Sequence, residues 1–214
     1  RIQLQHQSAG GYKLVRALPV LVPGALALLL AFEISAHWQD FLLWLHAETG
    51  SGISDPVFGR DLSFFFFILP VRQLIVNRLL LILFLLLTYS GLWYIASGDI
   101  AFGRNDGFVS RRARAHLLVL GSLFAAVWAL FFHLSAYDVV YSSGTRFHGA
   151  GYTAVHILVP GYYITAGLCL LLIPFLLLGI ARPYPRKTVA LLAAPLPAAI
   201  LLLVIIPALY QSYI

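Results

Sequence analysis

Apolar positions run together along this chain instead of alternating, and the runs are long. Stretches of about 20 apolar residues are what a bilayer core asks of a helix. Five can be drawn, at 18–38, 71–95, 115–136, 160–180 and 188–210. A transmembrane barrel would show short alternating strands, so the pattern predicts an all-α, polytopic membrane protein forming a single transmembrane domain over 1–214. Between the first two runs the period changes. From His37 to His46, Trp38, Phe41, Leu42 and Leu45 recur at helical spacing, which predicts a short helix lying in the membrane interface with Trp38 and Trp44 as anchors.

The segment Asp55–Pro70, DPVFGRDLSFFFFILP, places two acidic residues and a turn before a run of aromatics. Asp55 can accept backbone N–H bonds while Pro56 fixes φ, and Gly59 suits a tight turn. Asp61 and Ser63 both fit an N-cap of the aromatic stretch. That stretch is too short to cross a bilayer, which takes about 20 residues. It is expected to lie in the interface or dip partway, with Pro70 handing over to the second span.

Composition agrees with the pattern: 61% of residues are hydrophobic and 10% charged, far from soluble usage. The formal charge of +6 does not point to nucleic acid, because the basic residues sort by side. Arg1, Lys13, Arg16, Arg104, Arg111, Arg112, Arg114, Arg182, Arg186 and Lys187 fall on one side, whereas Arg60, Arg72 and Arg146 share the other with Asp40, Glu48, Asp55, Asp61 and Asp138. The positive-inside rule then places the N-terminus in the cytoplasm and the C-terminus outside. Membrane lipids are expected partners, and the basic face suits anionic headgroups. The single cysteine, Cys169, excludes an internal disulfide.

Three motifs in order carry a family resemblance: Asp55-Pro-Val-Phe-Gly-Arg-Asp-Leu-Ser-Phe with Leu69-Pro70, Ser110-Arg-Arg-Ala-Arg-Ala-His-Leu, and Gly149-Ala-Gly-Tyr-Thr153. They resemble the large bacterial multi-pass membrane proteins of uncharacterised protein family 0182. The resemblance implies that these five helices correspond to the third to seventh of seven, with the first two helices and a large extracytoplasmic domain not present here. It implies a bacterial cytoplasmic (inner) membrane location, the same orientation and no activity. The chain departs from the family pattern at Trp128, Ser135 and Ala136, where a lysine and an Asp-Arg pair are expected.

Candidate chemistry is sparse. Glu33 and Arg78 lie at a similar depth from one surface and are expected to form an intramembrane polar pair joining neighbouring helices. None of the seven histidines shares a spacing of three or four residues with another. No metal site is therefore expected. No cofactor is expected either, although His133, inside a span, is compatible with a lone axial contact to a pigment or haem. Gly144, Gly149 and Gly151 with Arg146 lack the following Lys-Ser or Lys-Thr of a phosphate loop. A turn leading to a helix capped by Thr153 is expected instead. With no nucleophile and base pair, the reading is not an enzyme but a membrane scaffold or accessory subunit, packed against other integral membrane subunits of a larger bacterial complex, respiratory or photosynthetic. The alternative is a transporter or channel component using the Glu33 and Arg78 level.

Overall fold

The computed structural model describes residues 20–47, 50–101, 108–141, 149–181 and 195–212. The chain forms two compact units, Arg1–Glu48 and Thr49–Ile214. Most of the basic residues that set the predicted orientation, among them Arg1, Lys13, Arg16, Arg104, Arg146, Arg182, Arg186 and Lys187, lie outside the described residues, as do Glu48, Gly144 and positions 188–194.

In the first unit, helix α1 (Val20–Ser35) bends by 54° into α2 (Trp38–Leu45). The break has a local cause: the Ser35 hydroxyl donates to the Phe32 carbonyl at 2.7 Å. The N–H groups of Ala36 and His37 turn back to Glu33 and Ile34, three residues away instead of four. Such bonds tighten and end a helix. Helix α1 therefore stops at Ser35, and Trp38, expected at the end of the first span, opens the next helix. Trp38, Leu42 and Leu45 on α2 are all exposed, as an interfacial helix requires.

The second unit begins with the Asp55 turn and enters a continuous helical run, Phe64–Ala96. Its first part, Phe64–Ile68, is π-helical and passes into α3 (Leu69–Ala96). Pro70 thus sits inside one helix and does not join two separate segments, which corrects the expectation of a detached aromatic element. Proline has no N–H to offer and its ring crowds the carbonyl four residues back. A widened turn relieves both: the Leu69 N–H reaches past that position to the Phe64 carbonyl. The same solution recurs before Pro160, where the Val159 N–H bonds to Ala154, and before Pro207, where the Ile206 N–H bonds to Leu201.

After α3, a two-residue antiparallel ladder pairs β1 (Ile100–Ala101) with β2 (Phe108–Val109). Ser110 then caps α4 (Arg111–Ser135), its Oγ accepting the Ala113 N–H at 3.2 Å. A 3₁₀ turn, Ala136–Tyr141, closes α4, and a second π segment, Ala154–Leu158, leads into α5 (Val159–Ala181). The chain continues through α6 (Pro195–Ile200), π-helical Leu201–Ile205 and α7 (Ile206–Ser212).

Small side chains let α4 and α5 approach closely. Ser122, Ala125 and Ala129 are buried on α4, and Gly161, Thr165, Ala166 and Cys169 on α5. Such residues are the usual contact surface between helices in lipid. Their hydroxyls are satisfied within their own helices: Ser122 donates to Leu118 and Thr165 to Gly161, each at 2.8 Å. Near one end of the pair, Arg114 Nη2 reaches the Ile180 carbonyl at 3.4 Å. At the other end, Phe64, Phe65, Leu69, Val76, Leu134 and Tyr137 form a buried cluster joining α3 to α4.

Among the described residues the fold is all-α apart from that short ladder, and three helices, Phe64–Ala96, Arg111–Tyr141 and Ala154–Ala181, are long and apolar enough to cross a membrane. The bent pair α1 and α2 makes a fourth if counted as one span. In the expected fifth span, the apolar helix Pro197–Leu209 is described and is shorter than a bilayer requires.

Candidate functional site

The Asp55–Asp61 turn supplies the framework. Asp55 Oδ2 accepts the N–H groups of Val57 and Phe58 at 3.0 and 2.7 Å. Its backbone closes the turn through Gly59 N–H to Asp55 C=O and Asp55 N–H to Arg60 C=O, both at 2.8 Å. Gly59 takes φ 62° there, a left-handed conformation that glycine adopts without strain. Asp61 Oδ1 then accepts the Ser63 N–H at 2.8 Å, the Ser63 hydroxyl at 2.6 Å and the Ser51 hydroxyl at 3.0 Å. Of the two expected caps, Asp61 is the one in use. Ser63 already has helical φ and ψ, so its side chain makes no cap. The Ser63 hydroxyl, followed by the Ser63 backbone N–H, holds the Asp61 carboxyl below its usual pKa.

The Gly149–Thr153 motif turns out differently from its sequence reading. Gly149 has φ 113° and begins a turn, and the Gly151 carbonyl accepts the Val155 N–H at 3.1 Å. Thr153, however, is helical and makes no side-chain cap. The expected Thr153 cap is corrected for the same reason as that of Ser63: a residue already inside the helix cannot fold its hydroxyl back over the first turn.

What the turn positions is a cleft of about 380 Å³ at the start of α3 and the end of α4. Arg60, Arg72 and His133 line it together with Phe64, Tyr137 and the aliphatic side chains of Ile75, Val76, Leu130 and Leu134. Both guanidinium groups flank one ring: Arg60 Cζ lies 5.5 Å and Arg72 Cζ 5.8 Å from the Phe64 centroid. These are cation–π distances. His133 stands edge-on to Tyr137 at 5.7 Å and packs against Tyr163 at 5.6 Å. Among the described residues no carboxylate lines the cleft and neither arginine belongs to an ion pair.

A smaller polar slot of about 130 Å³ adjoins it across Val76 and Leu134. There Gln73 Nε2 donates to Asp138 Oδ1 at 2.6 Å, with Asn77 and Ser135 beside them. Ser135 is buried here.

Glu33 belongs to the first unit, where its Oε1 is 3.6 Å from His37 Nε2, and Arg78 belongs to the second. His133 is exposed at the end of α4, beside arginines and aromatics and not in a dry interhelical pocket. No group of three or more metal-ligating side chains occurs among the described residues. Sequence reasoning missed Arg60 and Arg72, counting them only as charges on one side. The available signal was their place on either side of an aromatic run at a membrane edge.

The sequence profile of an uncharacterised protein family, UPF0182, matches residues 2–214. A UPF0182 protein of Geobacter sp. (strain M21) is 34% identical over 155 residues, which are 72% of this chain and 17% of the relative. Another from Pelobacter propionicus is 32% identical over 204 residues, 94% of this chain and 22% of its own. One from Mycobacterium tuberculosis is 30% identical over 159 residues, 73% and 16% respectively. The chain spans about a fifth of the length of the curated relatives it matches. No solved structure matches it.

Proposed function

The chain belongs to the uncharacterised protein family UPF0182, and from that premise we propose that it is a non-catalytic membrane scaffold, an accessory subunit of a larger bacterial membrane assembly. The observation that carries this reading is the surface of α3. Beyond Val76 that helix buries no residue within the chain, and Phe84 and Leu92 are 55% and 62% exposed. A polar solvent would not tolerate such a face; lipid and neighbouring apolar helices would. The charge asymmetry favours an inner-membrane location with the N-terminus in the cytoplasm and the Asp55–Pro70 region outside.

The test is extraction in mild detergent followed by sizing and identification of everything that co-migrates. A partner in fixed stoichiometry is expected. A lone monomer under conditions that keep α-helical circular dichroism would overturn the accessory-subunit reading.

A further inference from the structure

We propose that the cleft between the start of α3 and the end of α4 is a binding site for the headgroup of an anionic phospholipid, with Arg60 and Arg72 holding the phosphate and the aliphatic floor receiving the first part of an acyl chain. The inference rests on the membrane-spanning character of the helices and not on the accessory-subunit role.

Three observations combine. The first is positive charge with no carboxylate among the described lining residues: two guanidinium groups lie 5.5 and 5.8 Å from the Phe64 centroid. The nearby acids are engaged elsewhere, Asp61 by Ser51 and Ser63 and Asp138 by Gln73. Guanidinium groups present paired N–H donors that match phosphate oxygens. Aromatic contact holds their planes without neutralising their charge.

The second is the apolar lining. A site for a free anion alone would need no aliphatic wall, yet beside Arg60, Arg72, His133 and Tyr137 this cleft is lined by Ile75, Val76, Leu130 and Leu134. Ile75 and Leu130 stay 39% and 52% exposed, so the floor is open along the helices where a lipid tail would lie. The third is level. Arg72 stands in the first turns of α3 and His133 in the last turn of α4. That is the height at which long apolar helices meet the headgroup region. Tyr137 and Tyr163 about His133 are the residue type enriched there.

The test uses the full 214-residue chain in mild detergent, titrated in native mass spectrometry with dioleoyl phosphatidylglycerol, dioleoyl phosphatidylcholine and inorganic phosphate. Retention of one phosphatidylglycerol in preference to phosphatidylcholine is expected. The double substitution Arg60→Gln and Arg72→Gln should weaken it by about tenfold or more for each guanidinium removed. The pair Arg111→Gln and Arg112→Gln, at the opposite end of α4, should leave it unchanged.

Leu130→Trp, which fills the floor and keeps both arginines, should also weaken lipid retention, and it keeps the proposal testable if the double arginine variant does not fold. Equal retention of the two lipids would overturn the proposal. So would retention that survives both cleft variants, or equal loss in the Arg111 and Arg112 control. Inorganic phosphate displacing phosphatidylglycerol at comparable concentration would identify a free-anion site and count against a lipid.

Discussion

Asp61 organises its turn with one oxygen. Its Oδ1 takes the Ser63 N–H, the Ser63 hydroxyl and the Ser51 hydroxyl, so the charged form of the carboxyl is the one the fold favours. The Ser63 hydroxyl is the largest cause of its lowered pKa. A group with a lowered folded-state pKa stabilises above its unfolded value, about 3.9 for Asp, and that contribution is lost as pH falls through the folded value. Asp61→Asn is therefore expected to lower the melting temperature at neutral pH, and the gap from the parent chain should close in acid. Thermal unfolding by circular dichroism at neutral pH and at successively lower pH checks it, the gap narrowing as the carboxyl protonates; a gap independent of pH would show that the charge is irrelevant. Asp55 is a second case. It is 9% exposed and holds two backbone N–H groups. Asp55→Ala should cost about 1–2 kcal/mol, measured by the same melts, while Asp55→Asn, which can still accept, should cost less.

At the scale of elements, proline sets the shape of three helices. Each π segment ends two residues before Pro70, Pro160 or Pro207. The proline positions are plain in the sequence, but at Pro70 they suggest a hand-over between segments, because propensity says where a helix is interrupted and not how the turn widens to keep it continuous. At Pro70 the widening leaves the Phe65 carbonyl without its helical donor, and the Tyr141 hydroxyl supplies one at 2.5 Å from 76 residues away. No local pattern could announce that bond. Tyr141→Phe is expected to cost about 1 kcal/mol while leaving helix content unchanged, which thermal unfolding beside far-ultraviolet circular dichroism would show. The long apolar helices Phe64–Ala96, Arg111–Tyr141 and Ala154–Ala181, by contrast, were legible because length alone decides them, and α2 was legible from its period. The close approach at Gly161 was not: a Cβ there would stand 3.1 Å from Leu203 Cδ2 and 3.3 Å from the Leu202 carbonyl oxygen. A backbone atom cannot step aside as a side-chain tip can, so Gly161→Leu should overpack this approach by about 1–3 kcal/mol. An unchanged melting temperature would mean that the π-helical Leu201–Ile205 region does not hold its place against α5.

For the whole molecule, the decisive quantity is which side of the membrane the Asp55 turn faces. Charge sorting argues for the outside, and a chemical label placed on each end of one helix decides it directly. The chain is suited to such labelling. Its only cysteine, Cys169, is buried between α4 and α5 with no exposed surface. A membrane-impermeant maleimide should therefore leave the parent chain unlabelled in intact cells. Gly52 is exposed, with open space where a Cβ would stand, but its φ of 73° would strain a substituent. Ser54, exposed and with ordinary φ, is the better position. Ser54→Cys should label in intact cells, whereas Arg112→Cys, exposed at the start of α4, should label only after the membrane is opened. The α4 helix runs between these two ends and is long enough to cross. Both sites labelling in intact cells would deny that α4 spans at all. The reverse pattern would invert the topology and move the Arg60 and Arg72 cleft to the cytoplasmic leaflet, leaving its geometry intact and changing only which lipids it meets.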